Sequence, residues 1–259
     1  MNSQELNRMI IRLLWIAGLF VAVILVIAGI EQKEASPVED VNIYVEPFED
    51  GNLLINEDDI NLTIERSFGF PLETLPLGAV DVNRLERVLE DDPFIRDANV
   101  FIDANNIVKI WVTQRRPLFR IIDTNGFNYY LDKDGFKMPL SKHFSAKVLV
   151  ATGAVPPYIP NFKEKENHLL KSLFELANFI QVDDFMRAMV EQIYLDSNGE
   201  FTLVPKIGDQ KIYLGRISQL EEKIKRLKQF YQEARPYEGW DRFQTIDLRY
   251  DGQVVCKKR

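Results

Sequence analysis

Three observations predict an α+β chain made of a membrane-spanning helix, a compact strand–helix–helix–strand–strand unit, and a mostly antiparallel sheet with packed helices. Leu13 to Ile30 runs without a charge. Residues 41–115 pass from strand to helical periodicity and back. Beyond Pro117, Asn-Gly and Asp-Gly pairs recur between apolar runs.

As a helix, the eighteen residues from Leu13 to Ile30 would be about 27 Å long at 1.5 Å per residue, close to the hydrocarbon thickness of a bilayer. Leu13, Trp15, Phe20 and Ile30 are anchor positions along it. Arg8 and Arg12 precede the segment and Lys33 alone follows closely, which places residues 1–12 in the cytoplasm and the bulk of the chain outside it. The competing reading is a signal peptide cleaved near Val26-Ile27-Ala28. Secretory apolar runs span about 7–15 residues, so the greater length favours an uncleaved anchor. Polar residues 31–40, with Ser36 and Pro37, read as a stalk.

Val41 to Glu46 alternates and is rich in β-branched and aromatic residues, the pattern of a strand. Asn56 is a helix N-cap, followed by acids that suit the positive end of the helix dipole. Ile60, Ile64 and Phe68 then recur at helical spacing up to a stop at Gly69. A second helix follows Asp81, with Val82, Leu85, Val88 and Leu89 on one face, and ends at Asp92-Pro93. Arg96 to Asp103 and Ile107 to Thr113 form a hairpin around Ala104-Asn105-Asn106. Arg115-Arg116-Pro117 marks a boundary, since Pro117 has no N–H and holds its predecessor extended.

Asn125-Gly126, Asp134-Gly135, Asn198-Gly199 and Asp251-Gly252 are hairpin turns between strands. Two helices lie among those strands. Glu164 to Ile180 carries Leu169, Leu170, Leu173, Ala177 and Ile180 on one face. Ser218 to Ala234 opens on a Ser218/Glu221 capping box and presents Leu220, Ile224, Leu227 and Tyr231.

Net charge is −7, and leaving out Glu5, Arg8 and Arg12 the remainder has 30 basic and 38 acidic residues. That balance argues against nucleic acid or an anionic lipid surface as the main ligand. Cys256 is the only cysteine, which excludes an intramolecular disulfide and a cysteine metal cluster. His143 and His168 stand alone and read as solvated surface residues. Asp132-Lys133-Asp134-Gly135 and Asp196-Ser197-Asn198-Gly199 look like calcium loops, but glycine falls fourth rather than sixth and the closing glutamate is missing. No catalytic, cofactor or metal site is expected, and no enzyme.

Thr245 to Cys256 reads as a strand, a tight turn and a short strand. At a sheet edge it would offer unpaired main-chain groups to another chain; inside a sheet it would offer none, and Lys257, Lys258 and Arg259 would only deter aggregation.

Arg115-Arg116-Pro117-Leu118-Phe119-Arg120 followed by Tyr129-Tyr130-Leu131-Asp132 and Asp134-Gly135 resembles the domain junction and first hairpin of the FtsQ/DivIB cell-division family. Leu85-Glu86, Leu89, Pro93-Phe94-Ile95, Ala98 and Val100 resemble that family's POTRA domain, and Ile246 to Asp251 its closing strand. The resemblance implies a non-catalytic divisome scaffold in the bacterial inner membrane, with its main domains periplasmic at the division site. It implies capture of the FtsB–FtsL pair by strand addition, linking early and late division proteins, with recruitment through the POTRA domain. The chain then divides into a cytoplasmic 1–12, the anchor 13–30, the stalk 31–40, a POTRA-like domain 41–115, a β domain 116–256 and a basic tail 257–259. Carried over by residue, Arg249 pairs a partner acid and Tyr250 packs on the partner. Gly252 makes the turn, and Gln253, Val254 and Val255 form the exposed strand. Two alternatives stand beside this reading: a POTRA-bearing component of outer-membrane assembly or secretion, and a secreted enzyme with an unrecognised site.

Overall fold

The computed structural model describes residues 3–233 and 242–259. The chain forms two compact units that divide after Gln114.

The first unit opens with helix α1 (Ser3–Glu34), whose stretch Leu13–Glu34 has a mean hydropathy of 2.9 and is the candidate membrane span among the described residues. Leu13, Trp15, Phe20 and Ile30 are all more than half exposed, with no protein packed over them. The helix passes the expected limit at Ile30 because nothing after it breaks helical geometry before Pro37. The expected stalk is therefore corrected. Its first part is helical, and Ser36–Val38 dock on the folded unit: Leu77 N–H donates to Ser36 O (2.9 Å), Val38 N–H donates to Leu75 O (3.1 Å), and Val38 is buried.

Strand β1 (Asp40–Glu46), helices α2 (Glu57–Phe68) and α3 (Val82–Glu90), and strands β2 (Ile95–Ile102) and β3 (Ile107–Gln114) follow. Asn56 caps α2 in a true capping box with Asp59, and Gly69 ends it at φ 84°. Asp81 caps α3 through Arg84 N–H (3.0 Å). The sheet order is β1-β3-β2, with β1 parallel to β3 and β2 antiparallel to it. Ile60, Ile64, Leu85 and Leu89 bury against Val45, Val100, Val108 and Ile110.

The second unit holds β4 (Pro117–Ile122), β5 (Asn128–Asp132), β6 (Lys137–Met138), β7 (Leu149–Gly153), α4 (Leu169–Val182), α5 (Asp184–Met189), β8 (Val190–Leu195), β9 (Phe201–Pro205), β10 (Lys211–Gly215), α6 (Leu220–Glu233), β11 (Phe243–Asp247) and β12 (Val255–Lys258). They make one nine-stranded sheet in the order β12-β11-β10-β9-β8-β7-β4-β5-β6. The pairs β4–β7, β7–β8 and β10–β11 are parallel, the rest antiparallel. Inward residues of alternate strand positions, such as Phe119, Ile193, Leu203 and Ile246, pack under Leu173, Ala177, Ile224 and Leu227 of the helices. The other sheet face is open where it carries Tyr194 and Tyr213, whereas Tyr130 and Met138 on its β5–β6 end are buried.

The two helices expected in this unit, α4 and α6, begin later than their periodicity suggests. Asn167 sits at φ 55°, so α4 starts at Leu169 with His168 as its N-cap. Gln219 also takes φ 55°, a conformation outside the helix, and its carbonyl accepts the first α6 bond from Lys223 N–H. The Ser218/Glu221 box is thus out of register. Ala234 lies outside the described residues.

The aspartates of the calcium-like sequences hold turns. Asp132 Oδ1 accepts from Asp134 N–H (2.9 Å) and Phe136 N–H (2.8 Å), and Asp196 Oδ1 accepts from Asn198 and Glu200 N–H, both at 2.8 Å. Asp103 and Asp123 do the same in their own hairpins. An aspartate at the turn entrance satisfies loop amides that no strand partner reaches.

Candidate partner-binding edge

The large sheet has two edges. One is β6, only two residues long; the other is β12, with four. β12 pairs antiparallel with β11 through Thr245↔Lys257, Ile246↔Cys256 and Asp247↔Val255. Leu248 N–H donates back to Tyr213 O of β10 (2.9 Å) and Arg259 N–H donates to Arg242 O (3.0 Å). Main-chain groups alternate sides along a strand, so Val255 and Lys257 face β11 while Cys256 and Lys258 turn theirs outward. A bulge at Phe243–Thr245 puts Phe243 on the helix side, where it meets Phe230 of α6 with ring centroids 5.4 Å apart.

Two arginines hold the loop into this edge. Arg226 of α6 donates through Nη1 to Tyr250 O (2.5 Å) and to Gln253 O, and through Nη2 to Leu248 O (3.4 Å). Arg249 grips Asp247 through Nε (3.0 Å to Oδ1) and Nη2 (2.7 Å to Oδ2), and reaches Glu200 Oε2 through Nη1 (3.0 Å). Its guanidinium lies 5.1 Å from the Tyr213 ring centroid. The stem crosses Gly215, where a Cβ would come within 2.8 Å of Arg249 Cγ; that glycine's φ of 73° suits it to the place. The Asp247 and Glu200 carboxylates push the Arg249 pKa up. Burial opposes ionisation of Asp247, but the Arg249 hydrogen bonds prevail and hold its carboxyl low. Beside this cluster the open face has a concavity of about 390 Å³ bounded by Tyr194, Thr202, Tyr213 and Arg249.

Residues 116–257, more than half of the chain, match the family model described as FtsQ/DivIB, C-terminal related, and residues 36–113 match a POTRA-like domain. The chain belongs to the FtsQ/DivIB family. It is 28% identical over 171 residues to the cell division protein FtsQ of Rhodothermus marinus, an alignment covering 64% of this chain and 61% of that protein.

In this FtsQ/DivIB chain the sequence-predicted edge residues separate into distinct roles. Val255 begins the edge strand, but its main chain faces β11. Gln253 and Val254 precede the strand, and Val254 packs on the core. The exposed strand is accordingly corrected from Gln253–Val255 to Val255–Lys258, which takes Lys257 and Lys258 out of the expected tail. Gly252 turns at φ 67° and Tyr250 is 54% exposed. Arg249, expected to pair a partner acid, is held within the chain by Asp247 and Glu200. Arg226 escaped sequence reading because its carbonyl partners lie more than twenty residues away. Among the described residues no group of three or more His, Cys, Asp or Glu is placed to hold a metal ion.

Proposed function

We propose that this chain is a membrane-anchored cell-division scaffold that captures the FtsB–FtsL pair by strand addition along β12. The observation that carries the reading is the open edge, whose Cys256 and Lys258 main-chain groups face away from β11 in a member of the FtsQ/DivIB family. Strand addition draws its affinity from such groups and its specificity from neighbouring side chains. The α1 anchor confines the edge to the membrane surface at the division site, with the N-terminus cytoplasmic, and so raises the effective concentration of partners held there. Exposed Tyr250 packs on the incoming chain. The POTRA-like unit recruits further division proteins.

The test compares two prolines in the full chain. Lys258→Pro removes an outward N–H and leaves the β11 ladder intact, whereas Lys257→Pro removes an inward one. Loss of FtsB–FtsL co-purification by a folded Lys258→Pro variant is the expected result. Undiminished capture by that variant overturns strand addition on β12.

A further inference from the structure

We infer that the strand added to β12 carries an acidic side chain opposite Lys257 and an apolar one opposite Cys256. The inference rests on the strand-addition reading and concerns the chemistry of the partner.

Cross-strand register places side chains in rows. Lys211, Thr245 and Lys257 share one row on the open sheet face, and Tyr213, Asp247 and Val255 share the next. Ile212, Ile246 and Cys256 share the row that faces the helices, where Ile212 and Ile246 are buried and Cys256 is half-buried. An added strand extends each row by one position, about 4.8 Å beyond β12. Opposite Cys256 it continues the core row, and an apolar side chain there covers surface that β12 leaves half open. Opposite Lys257 it meets an exposed ammonium.

Charge decides the sign. The chain as a whole carries −7, yet Lys257, Lys258 and Arg259 follow one another at the edge without an intervening acid. Among the described residues Arg259 is paired, with Asp209 Oδ2 (2.9 Å). Lys211, Lys257 and Lys258 are exposed and have no ion-pair partner among the described residues. Pairing β12 with β12 of a second copy would set these cations against one another, and like charges directly opposite destabilise a sheet. The edge therefore repels itself and selects an acidic strand from another chain.

Three fluorescein-labelled synthetic peptides test this on the full chain in detergent, alternating Val with Glu, with Gln or with Lys. The net negative charge of the protein favours the Lys peptide non-specifically, so tighter binding of the Glu peptide reports the local edge. Lys257→Glu is expected to weaken the Glu peptide by about tenfold and to strengthen the Lys peptide, since one cross-strand attraction becomes a repulsion. Circular dichroism and Tm verify folding of each variant. Equal binding of the three peptides, or indifference to Lys257→Glu, while Lys258→Pro still abolishes binding, overturns the acidic code and leaves strand addition standing. Full binding by folded Lys258→Pro, or no binding of any peptide to the unaltered protein, overturns both.

Discussion

Arg226→Met is expected to loosen the edge strand without unfolding the domain. The arginine holds the carbonyls of Leu248, Tyr250 and Gln253, all in the loop between β11 and β12. Hydrogen bonds to a charged donor contribute about 1.5–3 kcal/mol each when well formed. Here the Leu248 contact is long at 3.4 Å, the site is partly open to solvent, and Arg226 Nε is buried without a partner among the described residues. About 2 kcal/mol is then a reasonable net value, because two good bonds are offset by partial solvation and one unsatisfied donor. Methionine keeps much of the stem packing, so the loss falls on local opening. Amides of β12 should exchange about 30-fold faster, the factor that 2 kcal/mol represents. Hydrogen exchange read by mass spectrometry over residues 248–258 measures this, with exposed Lys225→Met on the same helix as control. Unchanged β12 exchange in Arg226→Met would refute the clamp. A drop in Tm as large as that of a core truncation would show that Arg226 supports the whole unit.

Three further outcomes follow from the same structure. His168 Nδ1 accepts from Leu170 N–H (3.2 Å) at the start of α4, and burial, then nearby Lys165, depress its pKa. Only the neutral ring caps, so this stability is complete above the ordinary histidine range and is lost as pH falls through the lowered folded value. Urea titrations across that window should show stability falling as pH falls, and His168→Asn should flatten the dependence. Asp132→Ala removes a nearly buried carboxylate that holds two turn amides and Arg115 Nη1 (3.2 Å). It should cost about 3 kcal/mol in urea unfolding, and Asp103→Ala in a more exposed turn of the same design should cost less. Gly153→Ala, at φ 97° with the new Cβ only 2.2 Å from Leu195 O, should abolish soluble expression or lower Tm sharply. Gly69→Ala, also at positive φ but with open space around it, should cost only about 1 kcal/mol.

Turns were the most legible part of the second unit. Asn125-Gly126, Asp134-Gly135, Asn198-Gly199 and Asp251-Gly252 all join antiparallel neighbours, with each glycine at positive φ. The preceding aspartates were harder, since their side chains bond amides two and four residues on, a pattern that spacing shares with metal loops. Helix starts were misplaced where one residue at positive φ, Asn167 or Gln219, intervened before the first helical turn. Short α5 lay hidden because Asp183 ends α4 and caps α5 at once. At the edge, Tyr250 and Gly252 were recognisable as residues, but the ion pairs of Arg249 within the chain were not, since Glu200, just before β9, nears Asp247 only when β9 and β11 share a sheet.

By itself the sequence determined the apolar helix, the helix cap at Asn56, the helix start after Asp81, the hairpin turns and the α+β alternation, because each depends on residues within about four positions of one another. Tertiary structure alone decided that β4, β7 and β8 run parallel and that β12 ends the sheet, its far side unpaired among the described residues. It also decided that Arg226 and Arg249 hold the loop into β12. Strand order is set by which surfaces bury one another across long stretches of chain, and local periodicity is the same whether a strand ends up inside a sheet or at its edge.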